Sequence, residues 1–262
     1  MKIHPSAVVH PSAEISDGAE IGPFCYIGPK VKIGSGTRLL HGASVMGCTT
    51  MGEDNLLYPG AIVGGEPQDK KFQGEESWVH LGSRNILREH VTINRGTEFG
   101  GGVTRLGDDC LLMAGCHIAH DCILGNHVTM ASACLLGGHV VVGDHVGFGG
   151  MGAAHHFTSI GRFAFIGGMT RVFSDAPPFM ITEGHPARVR GLNRVGLRRN
   201  GIPEETVTWL KEAFRAIFHD KGMKEEAMQR LRDDGTVPPE GDELLNFVGR
   251  SINGKQGRAL QP

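Results

Sequence analysis

Histidines are concentrated in the middle of this 262-residue chain, where the sequence offers its clearest means of acid–base chemistry. Seven of them fall within 40 residues: His117, His120, His127, His139, His145, His155 and His156. His120 is followed directly by Asp121, and an imidazole beside a carboxylate can act as a general base because the acid stabilises the protonated ring. Two other interpretations stay open at this point: a histidine-rich metal site, or a polar sheet face that histidines merely cover.

A six-residue repeat determines where these histidines lie. A large apolar residue occupies every sixth position from Ile3 to Val63, and the spacing resumes over 81–93 and 106–172 with Ala154 as the small exception. Neither the 3.6-residue period of a helix nor the two-residue period of a long strand gives this pattern. Three short strands joined by bends close a coil of 18 residues, and stacked coils form a parallel β-solenoid. The sequence therefore predicts a mainly β, hexapeptide-repeat fold whose coils lie about 4.8 Å apart.

The 18-residue coil sorts the histidines by position. The hexads that begin at residues 118, 136 and 154 are one coil apart, so they stack on one side of the solenoid. The histidines of this side are His120, His139, His155 and His156. His127 and His145 are also one coil apart, but on another side, where we expect a solvated ladder. Gly138 lies one coil above His120, and its N–H could donate a hydrogen bond to a developing oxyanion.

The cysteines fit the same repeat. Five of the six stand two residues before a repeat position, at an inward site that must be small: Cys25, Cys110, Cys116, Cys122 and Cys134. Packing as reduced, apolar side chains is the predicted role, and metal ligation by Cys110, Cys116 and Cys122 is the alternative. Residues 147–152 match the spacing of a dinucleotide-binding glycine motif, but the repeat continues through them and no amphipathic helix follows, so we exclude that role.

The repeat is interrupted twice and then stops. Residues 64–80 and 94–105 are too long for bends, so we expect them to be loops ejected from a solenoid of residues 1–186. The net charge changes from −5 in that part to +3 in residues 187–262, and a helical pattern begins at Pro203. Further helical segments are expected near 223–231 and 242–251. We therefore predict a C-terminal α-helical domain that caps the last coil.

A run of arginines follows directly on the solenoid. Its members are Arg188, Arg190, Arg194, Arg198 and Arg199. Their guanidinium groups suit phosphate oxygens, and they could equally pair with acidic residues on the coils.

The composition excludes several classes of function. The chain has 26 Lys plus Arg against 28 Asp plus Glu, and this near balance argues against binding to nucleic acid through bulk charge. No segment approaches the roughly 20 consecutive apolar residues that span a bilayer, and the first residues lack the apolar core of a secretory signal. We expect no membrane insertion and a cytoplasmic location.

Several motifs, taken together with the repeat, resemble one known family. They are the loop 68–72 (QDKKF), the runs 94–97 (NRGT) and 100–102 (GGG), the segment 117–121 (HIAHD), the run 138–140 (GHV) and the tail 196–199 (GLRR). These resemble the UDP-N-acetylglucosamine acyltransferases of lipid A synthesis, nearly from end to end. The resemblance implies a left-handed β-helix, a homotrimer and active sites between subunits. It also implies transfer of an (R)-3-hydroxyacyl chain from acyl carrier protein to the 3-hydroxyl of UDP-N-acetylglucosamine, without a cofactor beyond the carrier protein's own phosphopantetheine.

The resemblance also implies roles for individual residues. His120 matches the family's general base, Asp121 its orienting neighbour and Gly138 the backbone oxyanion donor. The residues that match substrate-binding positions are Gln68, Asp69, Lys71, His117, His139, His155, His156 and Arg199. Gly168 matches the position that limits acyl length, where a glycine leaves room for a longer chain. The chain departs from the family pattern at Asn94, where histidine can occur, at His156, where glutamine can, and at Asn200, where arginine can.

Two alternative enzymes share the predicted architecture. One is a sister acyltransferase that forms an amide on a UDP-diamino sugar. The other is a trimeric zinc hydratase resembling the γ-class carbonic anhydrases, which would use histidines between subunits as ligands and would contain stoichiometric zinc. A purely structural solenoid is a third possibility, but it gives no reason for two ejected loops.

Overall fold

The computed structural model describes residues 1–220 and 222–262, and most of this chain winds as a left-handed parallel β-helix. Three sheets of 11, 9 and 8 strands form its walls. Within the β-helix a strand pairs in parallel with the strand one coil later, as Lys2–Ile3 pairs with Glu20–Ile21. This register confirms the 18-residue coil that the six-residue repeat predicts.

The strands contain only two to five residues each. In chain order they are β1 (Lys2–Ile3), β2 (Val8–Val9), β3 (Glu14–Ile15), β4 (Glu20–Ile21), β5 (Tyr26–Ile27), β6 (Lys32–Ile33), β7 (Arg38–Leu39), β8 (Ser44–Val45), β9 (Thr49–Met51), β10 (Leu56–Leu57), β11 (Ile62–Gly65), β12 (Trp78–Leu81), β13 (Ile86–Leu87), β14 (Thr92–Asn94), β15 (Val103–Leu106), β16 (Leu111–Leu112), β17 (His117–Ile118), β18 (Ile123–Leu124), β19 (Thr129–Met130), β20 (Leu135–Leu136), β21 (Val141–Val142), β22 (Gly147–Phe148), β23 (Ala153–Ala154), β24 (Ser159–Ile160), β25 (Phe165–Ile166), β26 (Arg171–Val172), β27 (Met180–Glu183) and β28 (Arg188–Leu192). The first sheet contains β1, β4, β7, β10, β13, β16, β19, β22, β25, β27 and β28. The second contains β2, β5, β8, β11, β14, β17, β20, β23 and β26, and the third contains β3, β6, β9, β12, β15, β18, β21 and β24.

The core is a column of the repeat residues. Ile27, Leu57 and Leu87 are fully buried, and so are the small residues Ala43 and Ala61 that stand two places before repeat positions. Burial of each large aliphatic side chain contributes about 1.5–3 kcal/mol. Ile3 is 40% exposed because the first coil has a neighbour on only one side.

At many corners of the coils a residue other than glycine has a positive φ angle, in the left-handed region of backbone conformation. Asp121, His139 and Phe157 occupy equivalent corners of three successive coils, with φ angles of 61°, 62° and 62°. Glycines that follow repeat positions have another role, because the next coil approaches them closely. A Cβ added to Gly34, for example, would lie 2.4 Å from the backbone oxygen of Gly52.

Two loops leave the wall where the repeat is interrupted. The first loop comprises residues 66–77, and the second loop comprises residues 95–102 with a 3₁₀ turn at Glu98–Gly100. The predicted ranges 64–80 and 94–105 are therefore too wide. The difference arises because β12 and β15 are longer than most strands and pair over four residues at the base of the loops.

The C-terminal part begins with a hairpin that the sequence pattern did not predict. β27 and β28 pair antiparallel and extend the first sheet across the expected boundary at residue 186. Four helices follow: α1 (Arg194–Arg199), α2 (Glu204–Phe214, continuing as a π turn at Arg215–His219), α3 (Lys224–Asp233) and α4 (Pro239–Asn253). Glu204 and Glu205 lie in the first turn of α2, where negative charge suits the helix dipole.

A second core joins the hairpin to the helices. It contains Phe179 and Leu192 from the hairpin region, Leu210 from α2, and Leu244 and Leu245 from α4. In the part of the chain that the structure describes, no helix has both the length and the apolar character needed to cross a membrane.

Candidate active site

His120, His139, His155 and His156 lie along one edge of the β-helix, where the second and third sheets meet. We call this edge the histidine corner; it carries Asp121, His139 and Phe157, with the residues just before them. The rings of His120 and His139 are 5.1 Å apart edge to face, and His139 stacks on Phe157 at 4.4 Å. The 18-residue period thus brings together residues that are far apart in sequence.

His120 and Asp121 form a hydrogen-bonded pair. The distance from His120 Nδ1 to Asp121 Oδ2 is 2.8 Å, and the Asp121 side chain has no solvent exposure. Burial alone would raise the pKa of this carboxyl, but hydrogen bonds from His120 and Thr97 outweigh that effect and hold the pKa below its usual value. An ionised carboxylate can only accept, so Nδ1 carries the proton. The lone pair of His120 is therefore on Nε2, where it can accept a proton.

Gly138 lies directly beside the imidazole of His120. A Cβ on Gly138 would be 2.7 Å from His120 Nε2, so no other residue fits there without moving the ring. Within residues 1–220 and 222–262, the Gly138 N–H has no hydrogen-bond acceptor. His139 N donates to His120 O at 3.0 Å and locks the two coils together. The site therefore offers a free N–H donor next to a proton acceptor.

The two ejected loops reach this corner. In the first loop, Asp69 Oδ2 lies 4.0 Å from His120 Nε2, whereas Gln68 and Lys71 are exposed. Arg95 joins the loops, because it forms an ion pair with Glu66 at 3.2 Å and its guanidinium lies 5.4 Å from the Phe72 ring. The second loop contacts Asp121 through Thr97.

Two histidines beside the pair are held in their neutral form. His117 lies on β17 with its Nδ1 2.7 Å from Thr92 Oγ1, and burial, with a smaller effect of the His120 charge, lowers its pKa. Burial also lowers the pKa of His139, although Asp121 opposes that shift. Neutral imidazoles can both donate and accept, which suits the hydroxyl groups of a sugar.

His155 and His156 continue the histidine corner one coil later. Their rings are 3.7 Å apart. The buried guanidinium of Arg258, from the C-terminal tail, lies 3.2 Å from His155 Nδ1 and also donates to Phe173 O. The same Nδ1 atom also lies 3.2 Å from the backbone oxygen of His156. No sequence signal linked Arg258 to these histidines.

The structure does not bring every predicted residue to this corner. Arg199 is exposed in α1, and among the described residues it has no ion-pair partner. Gly168 lies at a different edge, between the first and second sheets, next to Gly150. The predicted base and the predicted acyl-length residue are therefore on separate edges of the same chain.

The geometry of the pair also resembles part of a metal site. Single ligand atoms of His120, Asp121 and His139 lie within 4.8 Å of one another, which a divalent ion could bridge. Binding an ion at Nδ1 of His120 would break its hydrogen bond with Asp121. His120 therefore cannot both bind a metal ion through Nδ1 and keep the hydrogen bond to Asp121 that leaves Nε2 free to accept a proton.

His127, His145 and the five inward cysteines have structural roles. His127 and His145 stack at 4.6 Å on another edge, and the stack continues to Phe163 at 4.6 Å. Each of the five inward cysteines points its thiol at a backbone oxygen of the next coil, as Cys122 does toward Gly137 O at 3.1 Å. Burial raises the pKa of Cys110 to about 11, which disfavours the thiolate that a metal would need.

Comparisons with known proteins agree with one another. Residues 175–257 match the family described as UDP-N-acetylglucosamine O-acyltransferase, domain 2, and residues 104–138 match the bacterial transferase hexapeptide repeat. The chain is 48% identical to the acyl-[acyl-carrier-protein]–UDP-N-acetylglucosamine O-acyltransferase of Myxococcus xanthus, over 79% of this chain and 81% of that one. It is 45% identical to the enzyme of the same name from Synechocystis, over 74% and 70% of the two chains. A crystal structure of a UDP-N-acetylglucosamine acyltransferase from Bacteroides fragilis is similar with a TM-score of 0.92, at 34% identity over 94% of this chain and 96% of that one.

Proposed function

Because this chain belongs to the family of acyl-[acyl-carrier-protein]–UDP-N-acetylglucosamine O-acyltransferases, we propose that it transfers an (R)-3-hydroxyacyl chain from acyl carrier protein to the 3-hydroxyl of UDP-N-acetylglucosamine. This reaction is the first step of lipid A biosynthesis. The amide-forming and zinc-hydratase alternatives are not favoured, since the relatives from Myxococcus xanthus and Synechocystis are both named as O-acyltransferases.

His120 is the general base in this proposal. Its Nε2 removes the proton of the sugar hydroxyl as the oxygen attacks the thioester carbonyl, because a hydroxyl is too weakly acidic to attack unaided. A positioned base of this kind contributes about 10²- to 10⁴-fold to the rate. Asp121 stabilises the imidazolium that forms. When the tetrahedral intermediate collapses, the carbon–sulfur bond breaks and the proton passes from His120 to the departing thiolate of the carrier protein.

Gly138 stabilises the oxyanion of that intermediate. The observation that carries the proposal is that Gly138 lies against the His120 ring and that, among the described residues, its N–H has no acceptor, so one bound carbonyl can face both this donor and the attacking hydroxyl. The neutral His117 and His139, together with Asp69, are positioned to bind the acceptor sugar. Gln68, Lys71, His155, His156 and Arg199 complete the proposed substrate contacts.

The reaction needs no metal or cofactor of the enzyme's own. A thioester is already activated toward attack, and the proton transfers are supplied by His120. The phosphopantetheine group arrives with the carrier protein.

The chain is proposed to form a homotrimer with its sites between subunits. Gly168 and His120 are on different edges of the chain. Apolar side chains are exposed near Gly168, on the second sheet and on the edge between the first and second sheets: Leu135, Met151 and Met169 are 50%, 61% and 75% exposed. A closed ring of three chains can cover this apolar strip and bring the Gly168 edge of one chain to the histidine corner of the next. Gly168 would then limit the length of the acyl chain. Molar mass from light scattering in solution tests the trimer: about three chain masses supports it, and one chain mass contradicts it.

The acidic carrier protein is proposed to dock on the C-terminal domain. A cavity of about 620 Å³ between the β27–β28 hairpin and the helices is lined by Arg188, Arg190 and Lys224 above Phe214 and Phe218. The three basic side chains suit an acidic partner, and the two phenylalanines suit an apolar side chain of that partner. Reversing charge with Arg188→Glu and Arg190→Glu is expected to raise KM for the acyl carrier protein and to leave KM for the sugar nucleotide unchanged.

We also place the reaction in the cytoplasm. All six cysteines are unpaired and buried, which suits a reducing compartment. Fractionation of cells that produce the tagged protein tests this location.

The decisive experiment offers the purified protein two sugar nucleotides and a series of carrier proteins. UDP-N-acetylglucosamine and its 3-amino analogue are each incubated with hydroxyacyl carrier proteins of increasing chain length, and products are identified by mass spectrometry. We expect an ester on UDP-N-acetylglucosamine. Formation of product only with the amino analogue, or with neither nucleotide, would overturn the assignment.

A further inference from the structure

Thr97 in the second loop holds both carboxylate oxygens of Asp121. Its backbone N–H donates to Oδ1 at 2.7 Å and its hydroxyl donates to Oδ2 at 2.6 Å. The side chain is buried, with only 2% of the residue exposed. Oδ2 is the same oxygen that accepts from His120 Nδ1, so Thr97 and His120 both donate to it.

The second loop is shaped to deliver this contact. Thr97 starts the 3₁₀ turn, and its hydroxyl oxygen accepts from Gly100 N at 3.3 Å while its proton goes to Asp121. Gly100 packs against the carboxylate so tightly that a Cβ there would lie 1.9 Å from Asp121 Cγ. The Asp121 side chain is therefore covered by the second loop, in which Thr97 precedes it by 24 residues, as well as by the residues of the histidine corner.

A competing partner for the carboxylate lies close by. His139 Nδ1 is 3.8 Å from Asp121 Oδ2, beyond hydrogen-bond distance but within reach of a small rotation of the carboxylate. The two donors of Thr97 oppose that rotation. Without them the carboxylate could turn to His139, and His120 would lose the contact that fixes its tautomer.

We propose that Thr97 is a positioning residue for the catalytic pair: it fixes the carboxylate plane so that Oδ2 faces His120 Nδ1 and not His139. This inference rests on the proposed role of His120. Through Thr97, the second loop becomes part of the catalytic apparatus without touching the substrate. Arg95 also ties this loop to the first loop, which carries Asp69.

The test compares Thr97→Val with Thr97→Ser in the full-length protein. Valine keeps the shape and the backbone donor but loses the hydroxyl, whereas serine keeps the hydroxyl. We expect Thr97→Val to lower kcat about 10- to 100-fold, as loss of an orienting partner of a catalytic group commonly does, with KM for both substrates within threefold. Thr97→Ser should recover most of the activity. The acid limb of the kcat/KM profile should move to lower pH in Thr97→Val, because an imidazolium that has lost its contact with the Asp121 carboxylate gives up its proton more readily.

Thr104 provides the matched control. This buried threonine accepts from the backbone N of Asp121 at 2.8 Å and does not touch the carboxylate. Thr104→Val should lower the melting temperature about as much as Thr97→Val does, with a much smaller effect on kcat. A crystal structure of Thr97→Val should show the Asp121 carboxylate turned toward His139.

The inference fails if Thr97→Val turns over within twofold of the unchanged protein, or if the valine and serine variants lose activity equally. A carboxylate that keeps its position in the Thr97→Val crystal structure also contradicts it. The structural readout does not depend on turnover, so an unchanged protein that is inactive with UDP-N-acetylglucosamine would count against the proposed function alone.

Discussion

The imidazole of His120 lies against Gly138 of the next coil, so closely that a Cβ on the glycine would be 2.5 Å from ring atom Cε1. The two residues are 18 positions apart, and the β-helix places them in contact. The space that the ring occupies exists only because residue 138 has no side chain. The proposed base and the proposed oxyanion donor therefore constrain each other.

Gly138→Ala is expected to lower kcat about 100-fold, because the added methyl group displaces the ring by an ångström or more. Steady-state kinetics with a single acyl donor measure the effect. Gly249→Ala is the control, since a Cβ there meets open space in α4 and alanine favours the helix. An active Gly138→Ala enzyme would mean that the ring is free to move without cost.

His120→Ala is expected to reduce acyl transfer at least about 10²- to 10⁴-fold, with folding and trimer formation intact. The loss should reside in kcat, because the proton transfer occurs in the transition state. His127→Ala is the matched control: it removes a histidine from another edge, where His127 stacks on His145. Near-normal turnover of His120→Ala would refute its assignment as the base.

The stack of His127, His145 and Phe163 predicts loss of stability in acid. Burial, followed by the charge of His127, lowers the pKa of His145 in the folded chain, while Asp144 acts in the opposite direction. The unfolded chain then binds a proton at higher pH than the folded one, so stability is full above the ordinary histidine pKa and falls as the pH drops through it. Melting temperatures between about pH 7.5 and 5.5 should fall, and less steeply for His145→Phe, which extends the stack that Phe163 begins. Equal slopes for both proteins would contradict this origin.

Enlargement of residue 168 is expected to shorten the preferred acyl chain. A Cβ at Gly168 would approach the Gly150 backbone oxygen only to 3.4 Å, so alanine fits without strain and leucine extends outward from the edge. Gly168→Leu should lower kcat/KM for the longest accepted acyl chain by about tenfold or more relative to a shorter one. Competition between two carrier proteins in one reaction, followed by mass spectrometry, gives this ratio directly. An unchanged ratio would separate Gly168 from chain-length selection.

Removal of metal is expected to leave the activity unchanged. The protein is dialysed against a chelator, its zinc content is measured, and turnover is compared before and after. The zinc-hydratase alternative requires stoichiometric zinc bound by histidines and loss of activity with the metal. Full activity at negligible metal content supports a reaction carried by His120 and Gly138.

The sequence predicts the histidine corner well because one number, the 18-residue coil, relates distant positions. That number alone places Gly138 beside His120 and groups His139 with His155 and His156. The same period explains the stack of His127 and His145. Backbone pairing fixes these relationships, so they depend little on the identity of other side chains.

Contacts that involve the loops and the tail follow no such period. Thr97 reaches Asp121 because the second loop folds back over the corner, and Arg258 reaches His155 from 103 positions away. The sequence pattern also does not predict the β27–β28 hairpin. Its strands break the six-residue spacing, and Arg188 and Arg190 indicate only a cluster of positive charge. In each case the position depends on tertiary packing, which a local pattern does not encode.

The stacked coils also limit how this site can evolve. His120, Gly138 and His156 belong to three successive rungs, so their separation changes only in whole steps of about 4.8 Å. Insertion of one 18-residue rung between His120 and Gly138 would preserve the apolar interior and the pairing of neighbouring rungs, yet would separate the proton acceptor from its oxyanion donor. Such an insertion yields a well-folded but inactive protein. Gradual changes in activity must therefore come from substitutions of side chains and from changes in the shape of the ejected loops.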